Sequence, residues 1–461
     1  MAPPRIVIVG AGPAGTRAAE LLAAAGLRPV VVDEGRNNGG QIYRRQPPGF
    51  RRDARALYGT EASRATALHA TFDALRPKIE HLPETLAWNI HGGELYLQSG
   101  ERACILPFDA LILATGATDR LIPLPGWTLP GTFSLGAAQI ALKAQACAIG
   151  SRVAFLGSGP LLYLVAAQYV KAGAEVAAVL DTAPPGARWK GLPLMASRPA
   201  LLAKGAALIG RLMRAGVPIR RGVVPRRILA DATGTRVAGL AIAGSDGGEE
   251  VITCDAVGMG WHLRAESQLA DLAGCSFDYD PDSRQWLPRA DEDGRSEVSG
   301  VYLAGDGVRI LGADGAEVAG RLAALAALRD LGLPAPPGYD LEVLRRGKRV
   351  MDRFRRGLAL AFPWPADLVA NLPDETLVCR CETITAGDLR RTATELDARE
   401  VNRAKAFSRV GMGRCQGRYC GMAGAEIVAA ARSLPVQAAG RLRGQAPVKP
   451  LPVAVTLEEA E

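Results

Sequence analysis

The start of the chain carries a strand, a glycine-rich loop, a helix and a second strand that ends in an acid. An apolar strand over residues 5–9 runs into GAGPAG at 10–15, and the helical sequence TRAAELLAAAG follows. A second apolar strand, residues 29–32, ends at Asp33. A dinucleotide-binding loop requires this order of elements, and a lone glycine motif without it is a weak signal. The segment therefore predicts a strand–loop–helix–strand nucleotide unit in a parallel α/β fold.

Each residue of the loop has a physical reason to hold a pyrophosphate. Gly10 permits the tight turn, Gly12 lets the backbone approach the phosphates, and Gly15 lets the helix pack closely on the strand. The N–H groups at the helix N-terminus face the phosphates. Asp33 is placed to accept the ribose hydroxyls, with Glu34 as the near alternative. These residues together predict a dinucleotide site.

Three further segments favour FAD over NAD as the ligand. They are GGQIY at 39–43, the strand DALILATGA at 109–117 and the strand GVYLAGDG at 300–307. A carboxylate at a strand end beside a helix N-terminus can hold a ribityl or phosphate-side hydroxyl. In order and spacing the segments resemble the two-dinucleotide-domain flavoproteins, which include thioredoxin reductase and NADH-dependent flavin reductases. The resemblance implies FAD contacts at Gly10, Gly12, Ala14, Gly15, Asp33, Gly40, Gln41, Thr115, Gly116, Gly305 and Asp306.

A second copy of the nucleotide motif departs from the fingerprint. The loop GSGPLL at 157–162 follows another apolar strand, but Leu162 stands at the third glycine position. Its side chain would push the helix from the strand or require a local shift. The next strand ends at Asp181, which disfavours the 2′-phosphate of NADP. We expect a nicotinamide-domain-like fold whose Gly157 and Gly159 hold ATP, NAD or no ligand.

Several functional classes lack support in the chain. The first four cysteines include no Cys-x-x-Cys pair, so disulfide reduction is not expected. The four histidines stand in no catalytic pattern, and nothing resembles a Ser/His/Asp or paired-carboxylate site. The net charge is +8, but no nucleic-acid motif accompanies it. No stretch reaches ~18 uncharged apolar residues, and the first strand begins too early for a signal peptide. We therefore expect a cytoplasmic protein without nucleic-acid partners or a membrane span.

The densest basic run, RRGKRVMDRFRR at 345–356, predicts an amphipathic helix. Leu344, Met351, Phe354 and Leu358 recur there at helical spacing, which places the basic residues on the other face. Two interpretations of that basic face stay open. It is either a solvated helix face or a docking surface for a partner.

Four cysteines near the C-terminus form two tight pairs. Cys379 and Cys381 lie in LVCRCETIT, and Cys415 and Cys420 lie in GMGRCQGRYC. Four such thiols can converge on one metal centre, and Thr385 can cap a helix between the pairs. Zinc is the plainer alternative, although zinc sites more often show two Cys-x2-Cys knuckles. The pattern resembles instead the 2Fe–2S domain first met in bacterioferritin-associated ferredoxin, which implies a 2Fe–2S cluster on these four residues.

The whole arrangement resembles the alpha (A/B-type) subunits of heteromeric flavin-dependent amino-acid dehydrogenases. Members include the A-type subunit of opine oxidase, the alpha subunits of D-hydroxyproline dehydrogenase and proline dehydrogenase, and the B-type subunit of hydrogen cyanide synthase. Sarcosine oxidase alpha is a larger relative. The motifs that carry the resemblance are GAGPAG, GGQIYR, ATGATDR, GSGPLL, YLAGDG, CRCE and GRCQGRYC.

This resemblance implies a division of labour. A separate FAD-containing beta subunit, similar to D-amino-acid oxidase, removes the hydride at the substrate C–N bond. This chain receives the electrons through its own FAD and cluster, with an FMN at the subunit interface in some members, and a small ferredoxin-like gamma subunit is a further expected partner. The residues agree, because the chain has many cofactor motifs but no visible amine-binding or acid/base residues.

We therefore expect an α/β two-dinucleotide-binding-domain flavoprotein with a small α-helical C-terminal iron–sulfur domain. The predicted units are an FAD domain at 1–122 and 263–332, a nicotinamide-domain-like unit at 123–262, a linker and basic helix at 333–372, a 2Fe–2S domain at 373–435 and a tail at 436–461. Two other functions stay open. One is a stand-alone NAD(P)H-dependent flavin oxidoreductase, and the other is a zinc-containing non-catalytic adaptor.

Overall fold

The computed structural model describes residues 3–47, 49, 52–244, 247–454 and 456–457. Its helices, in chain order, are α1 (Pro13–Ala24), α2 (Ala54–Tyr58), α3 (Ala62–Leu75), α4 (Leu135–Ala144), α5 (Pro160–Lys171), α6 (Ala187–Met195), α7 (Pro199–Arg214), α8 (Gln268–Leu272), α9 (Gly312–Asp330), α10 (Leu341–Ala361), α11 (Ala366–Ala370), α12 (Ala386–Glu395), α13 (Val401–Ser408), α14 (Gly421–Ala431) and α15 (Val436–Ala439). Across the described part of the chain, none of them is both long and apolar enough to cross a membrane.

The strands alternate with these helices. In chain order they are β1 (Ile6–Val9), β2 (Val30–Val32), β3 (Glu80–Leu82), β4 (Leu86–His91), β5 (Glu94–Ser99), β6 (Arg102–Pro107), β7 (Ala110–Leu113), β8 (Ala117–Asp119), β9 (Thr132–Ser134), β10 (Arg152–Ser158), β11 (Glu175–Asp181), β12 (Ile219–Arg221), β13 (Pro225–Ala230), β14 (Val237–Ala243), β15 (Glu249–Thr253), β16 (Ala256–Trp261), β17 (Leu263–Ala265), β18 (Phe277–Asp280), β19 (Gln285–Pro288), β20 (Val301–Leu303), β21 (Leu377–Cys379), β22 (Ile384–Thr385) and β23 (Thr456–Leu457).

Two parallel sheets form the body. The first has the strand order β20-β7-β1-β2-β3, and the second has the order β12-β11-β10-β16-β9. Every residue of β1 and β7 is buried, because helices cover both faces of a parallel sheet. Helix α1 packs along α9 beside the first sheet. The α/β architecture with two sheet domains confirms the fold class predicted from the glycine loops.

The degenerate loop follows β10 in the second sheet. Leu162, at the position of the missing glycine, is fully buried on α5 in the same hydrophobic cluster as Val153 and Phe155. The pairing of β10 with β11 shifts register between Val153 and Ala154. The apolar core of this domain therefore accommodates a side chain that the fingerprint does not allow.

The C-terminal cysteines belong to a unit that is continuous with the second domain. We call residues 373–435 the cysteine module. Val378 and Ile427 of this module lie in the same hydrophobic cluster as Trp127 of the second domain. The Trp127 indole N–H also donates to the Leu377 carbonyl at 2.6 Å. The module therefore shares a core with the body instead of hanging from a linker.

Part of the basic face of α10 packs on acids of the same chain. Arg345 pairs with Asp293 at 2.7 Å, and Arg355 pairs with Asp280 at 2.8 Å. The Arg355 side chain is only 9% exposed. The interpretation as a solvated face therefore fails at these two positions, since intramolecular ion pairs account for them.

Candidate flavin site and cysteine centre

A cavity of about 2190 Å³ lies where the predicted FAD segments meet. Pockets for drug-sized ligands measure roughly 300–1000 Å³, so this cavity is large enough for a dinucleotide. Among the residues predicted to bind FAD, including the Glu34 alternative, all but Gly15 line it: Gly10, Gly12, Ala14, Asp33, Glu34, Gly40, Gln41, Thr115, Gly116, Gly305 and Asp306. The fold thus brings together segments that lie roughly 300 residues apart in the chain, as a doubly wound sheet does.

Gly15 shapes this cavity from behind. A Cβ at Gly15 would lie 1.7 Å from the Gly10 carbonyl oxygen, so only glycine lets α1 approach β1 this closely. Gly10 itself has a φ of +107°, and a Cβ there would lie 2.3 Å from the Ala114 oxygen. The predicted roles of packing and tight turning therefore match the backbone geometry.

The first turn of α1 offers free N–H groups to the cavity. Gly12 is its N-cap residue and supplies no side-chain hydrogen bond, so the amides of the turn remain available for phosphate oxygens. Gly40 approaches Gly12 so closely that a Cβ on Gly40 would lie 3.1 Å from the Gly12 Cα. Two glycine loops thus form one concave backbone surface, which fits the pyrophosphate of FAD.

Two partly buried carboxylates stand at the predicted ribose and ribityl ends. Asp33 accepts hydrogen bonds from the amides of Ala11 at 2.5 Å and Gly35 at 2.6 Å. Asp306 accepts from the amides of Leu311 and Gly312, and burial raises its pKa to about 6. Each oxygen of Asp33 keeps a second lone pair, and Oδ2 of Asp306 takes no part in the two amide hydrogen bonds. Both side chains can therefore accept from a cofactor hydroxyl while the backbone holds them in place.

Asp119 is a partly buried acid of the cavity wall that the sequence motifs did not single out. Its carboxylate accepts from the Ser134 hydroxyl at 2.5 Å and the Gly136 amide at 3.0 Å. Burial raises its pKa. Asp119 ends β8, which pairs antiparallel with β17 to form the ribbon between the two domains. Asp119 thus links the start of α4 to this ribbon. The motif ATGATDR alone could not predict this contact.

Lys143 is a second residue that the sequence did not reveal. It lines the cavity, is 6% exposed, and donates to the Ile42 carbonyl at 3.3 Å. Burial lowers its pKa to about 8. No acid pairs with it within the described ranges. The cavity wall beside the Gly40 and Gln41 loop therefore carries a cation without an acidic partner. Nothing in the sequence pointed to it, because Lys143 lies within an otherwise apolar helix.

The glycines of the second nucleotide loop serve the protein's own packing. A Cβ on Gly157 would lie 1.8 Å from the Gly260 oxygen, and one on Gly159 would lie 3.0 Å from the His262 ring. Neither glycine is among the described residues that line the large cavity. His262 in turn is held by the Phe362 carbonyl at 2.6 Å. Gly157 therefore packs against the chain's own backbone, and Gly159 packs against the His262 ring.

Asp181 is likewise satisfied internally. It is fully buried, accepts from the Tyr163 hydroxyl at 2.6 Å, and forms an ion pair with Arg188 at 2.8 Å. The Ala183 amide donates to its other oxygen at 2.9 Å. A carboxylate engaged in this way is a poor acceptor for the ribose hydroxyls of NAD, because binding would have to replace existing bonds.

The four predicted metal ligands come together in the cysteine module. Hydrogen bonding with the Cys420 thiol lowers the pKa of Cys379 to about 6 and that of Cys415 to about 5. Cys381 interacts with Cys415 on the other side. No disulfide joins any of them. The order of contact is therefore Cys379, Cys420, Cys415 and Cys381, so the second sequence pair lies between the two cysteines of the first.

Backbone amides also converge on these sulfurs. After the Cys420 thiol, amides including that of Gly411 act on Cys379, and those of Tyr419 and Gly417 act on Cys415, all favouring the thiolate form. Within the described residues, no group of three or more His, Cys, Asp or Glu side chains is arranged to hold a single metal ion. A 2Fe–2S cluster divides its four cysteines between two irons. Four thiol donors fit a 2Fe–2S cluster, and they equally fit a tetrahedral zinc ion.

A buried ion pair joins the flavin-side loop to the cysteine loop. The Thr115 hydroxyl donates to the Glu266 carbonyl oxygen at 2.5 Å, and the Glu266 amide donates to the Gly116 carbonyl at 3.0 Å. The Glu266 carboxylate receives two hydrogen bonds from Arg418, each 3.0 Å. Arg418 also donates to the Cys415 carbonyl at 3.2 Å. We call this contact the Glu266–Arg418 bridge.

Comparison with known proteins agrees with this geometry. Residues 4–325 match the pyridine nucleotide-disulphide oxidoreductase family, and residues 374–458 match the sarcosine oxidase A3 domain. The crystal structure of L-proline dehydrogenase from P. horikoshii shares the fold, with a TM-score of 0.69 and 18% identity over 98% of this chain and 78% of that chain.

Two relatives match at the level of sequence. The A-type subunit of opine oxidase from Rhizobium meliloti is 36% identical over 97% of this chain and 86% of its own length. Hydrogen cyanide synthase subunit HcnB of Pseudomonas aeruginosa is 31% identical over 90% of each chain. The family match implies FAD as the cofactor of the first domain. The chain belongs to the pyridine nucleotide-disulphide oxidoreductase family, in the group that contains HcnB and the A-type subunit of opine oxidase.

Proposed function

We propose that this chain is the electron-transfer (alpha) subunit of a heteromeric flavin-dependent dehydrogenase. The complex oxidises an amino acid, imino acid or opine at its C–N bond, of the D-hydroxyproline, proline, octopine or nopaline type. Hydride abstraction takes place in a partner beta subunit that carries its own FAD. The relatives support this assignment, because the opine oxidase and hydrogen cyanide synthase chains are both named as subunits.

The Glu266–Arg418 bridge is the observation that carries the proposal. It ties Thr115 and Gly116 of the flavin cavity to the loop that contains Cys415. When bound, a 2Fe–2S cluster would accept electrons one at a time from the two-electron flavin. A direct contact between a flavin site and a cluster site favours electron transfer between the two cofactors. A metal site with only a structural role needs no contact with the flavin cavity.

The remaining cofactors and partners belong to the same proposal. Cys379, Cys381, Cys415 and Cys420 hold the 2Fe–2S cluster, and FMN lies at the interface with the beta subunit. A small ferredoxin-like gamma subunit completes the complex. The contacts of the second nucleotide loop support neither NAD nor ATP, because Asp181 is engaged by Arg188 and Gly159 lies against His262.

This role in a complex is tested by reconstitution. The chain is purified alone and together with the products of its neighbouring genes, and dye reduction is measured with D-hydroxyproline, proline, octopine, nopaline and glycine. We expect activity only from the assembled complex, since the sequence of this chain carries no acid/base pattern for an amine. Equal activity from the chain alone would contradict the assignment.

The cluster is tested by iron content. Elemental analysis should give about two irons per chain, with absorbance in the ~400–550 nm region beyond that of the flavin. Cys379→Ser and Cys415→Ser should lose the iron, because a hydroxyl is a poor replacement for a thiolate ligand. Cys254→Ser is the matched control, since Cys254 is buried in the second domain and is not one of the four thiols that contact one another. Full iron in either ligand variant would exclude the cluster as placed here.

A stand-alone NAD(P)H-dependent reductase is the competing function. It requires flavin reduction by the nicotinamide, and stopped-flow spectroscopy measures this directly. We expect no flavin bleaching at millimolar NADH, because the second nucleotide loop faces His262 and its ribose acid is bound to Arg188. Rapid bleaching would favour the reductase instead. The zinc-containing adaptor is not retained, since the family is one of oxidoreductases.

A further inference from the structure

The cysteine centre has a flavin-facing side and a solvent-facing side. Cys379 and Cys420 are 2% and 1% exposed, and Cys415 is tied by its carbonyl to the Glu266–Arg418 bridge. Cys381, by contrast, is exposed. Electrons that enter from the flavin side would therefore find their shortest way out through the edge at Cys381.

Arginines surround that exposed edge. Arg380 is the direct neighbour of Cys381, and Arg414 follows Gly413, where a Cβ would lie 2.3 Å from the Cys381 Cβ. Arg380 and Arg414 are both exposed. Among the described residues, neither has an acidic partner within ion-pair distance. Two uncompensated positive charges therefore flank the one exposed thiol of the centre.

Other contacts fix these charges at the edge. The Arg380 guanidinium lies 5.5 Å from the centre of the Trp127 ring and 5.3 Å from that of Tyr419. The nearby acid, Glu382, is neutralised by Arg409 at 2.8 Å, and the Arg409 side chain remains 65% exposed. The edge therefore presents a net positive surface. We call Arg380, Cys381, Arg409 and Arg414 the arginine face.

We propose that the arginine face is the docking surface for an acidic one-electron carrier protein. The inference rests on the proposed function, which supplies the reduced cluster. One electron leaves that cluster, which returns to its oxidised state, and enters the oxidised carrier, which becomes reduced. No bond to hydrogen forms or breaks in this step. Opposite charge accelerates association by roughly 10–10³-fold, and salt screens it over about 10 Å at 0.1 M.

The test measures electron transfer from the assembled complex. The complex is reduced chemically and mixed in a stopped-flow instrument with an oxidised acidic 2Fe–2S ferredoxin, at ionic strengths from about 10 to 500 mM. For the unaltered protein we expect the second-order rate constant to fall at least tenfold over this range. A neutral quinone, tested in parallel, should show no comparable dependence on salt.

Charge reversal identifies the surface. In R380E/R414E the rate with the ferredoxin at low salt should fall tenfold or more, while iron content and the rate with the quinone stay unchanged. R414E alone tests the surface without risk to folding, because Arg414 is exposed and forms no ion pair with the described part of the chain. This single variant should show part of the fall in the ferredoxin rate. R346E/R353E is the matched control, since both arginines are exposed on α10 and the change in charge is the same.

Each outcome bears on the proposal. Equal loss in R346E/R353E, or ferredoxin reduction at the unaltered rate in an iron-loaded R380E/R414E complex, would overturn the docking surface while leaving the electron-transfer subunit intact. A preference for a basic carrier such as cytochrome c would overturn it as well. Absence of iron from the unaltered chain is a different failure, because it removes the proposed cluster itself.

Discussion

At the scale of single residues, the shape of the flavin cavity depends on glycines, which have no side chain, as much as on the polar residues that line it. Gly15 and Gly10 allow backbone approaches that any Cβ would block. Their roles could be predicted from the sequence, because the strand, the glycine spacing and the helix that define the motif are contiguous in the chain. Asp119 and Lys143 could not be predicted, since their burial depends on elements that are distant in the chain.

Gly15→Ala should destabilise the protein and empty the flavin site. The new methyl group would lie 1.7 Å from the Gly10 oxygen, so α1 must move away from β1. We expect a loss of about 1–3 kcal/mol in the free energy of unfolding, typical of overpacking, together with loss of bound flavin. Urea denaturation and the flavin-to-protein absorbance ratio measure the two effects.

Gly347→Ala is the control for this substitution. Gly347 lies within α10, and nothing lies within 4 Å of its built Cβ. There we expect up to about 1 kcal/mol of stabilisation and full flavin content, because alanine is the better helix former. A Gly15→Ala protein that kept its flavin and stability would refute the packing role assigned to this residue.

Lys143→Met should raise stability at neutral pH and remove a pH dependence. Burial lowers the pKa of Lys143 to about 8 from 10.5, so the unfolded chain holds this proton more tightly than the folded protein does. The free energy of unfolding should therefore increase as pH rises from about 8 to about 10. In Lys143→Met that slope should disappear, with a gain of about 1–3 kcal/mol at pH 7. Lys190→Met, at an exposed lysine, should keep the slope seen in the unaltered protein.

At the scale of elements, local signals and long-range contacts differ in how well they could be predicted. The capping of α12 by Thr385 was predicted, and Thr385 and Asp388 form a full capping box. This cap could be predicted because its pattern spans only a few residues. The pairing of α10 arginines with acids near β18 was not predicted, since ion pairs across the fold leave no periodic trace in sequence.

Glu266→Gln should weaken the contact between the flavin cavity and the cysteine loop. Glu266 and Arg418 have side chains 13% and 10% exposed, and leaving Arg418 buried without its partner costs about 3–5 kcal/mol. We expect the flavin-to-cluster transfer rate to fall about tenfold or more, because small displacements of reacting groups carry large penalties. Rapid-mixing absorbance of the reduced chain measures that rate.

Glu426→Gln provides the comparison at another edge of the cysteine module. Glu426 pairs with Arg284 at 2.9 Å and also ties the module to the body, but it does not line the cavity. It should lower stability without slowing cluster reduction. Equal slowing in both variants would mean that the Glu266–Arg418 bridge has only a structural role.

At the scale of the whole molecule, the second domain and the cysteine module share one hydrophobic core. Two glycine loops and two cysteine pairs were enough to predict the parts and their order. The packing of the cysteine module on the second domain was not predictable. The residues that join the two units, such as Trp127 and Ile427, look like ordinary core residues in the sequence. The relatives also match along most of the chain, so similarity and packing agree.

Removal of the cysteine module should damage the body. A chain that ends at residue 372 would expose Trp127 and the apolar residues around it that now pack on Val378 and Ile427. We expect the truncated chain to aggregate, since large exposed apolar patches promote association. Light scattering and size-exclusion chromatography measure this, and calorimetry of the full chain should show both regions melting in one transition. A monodisperse, flavin-loaded truncation would contradict the shared core.

The shared core also sets an order of events during synthesis. Trp127 and its neighbours leave the ribosome long before Val378 and Ile427, the residues that cover them. A delay of about 250 residues corresponds to roughly 12–50 s at ~5–20 residues per second. During that interval the second domain has a bare apolar flank that a chaperone must shield. The second domain therefore completes its core only after the cysteine module has been synthesised, so a nascent chain stalled before residue 373 should be bound by chaperones or degraded.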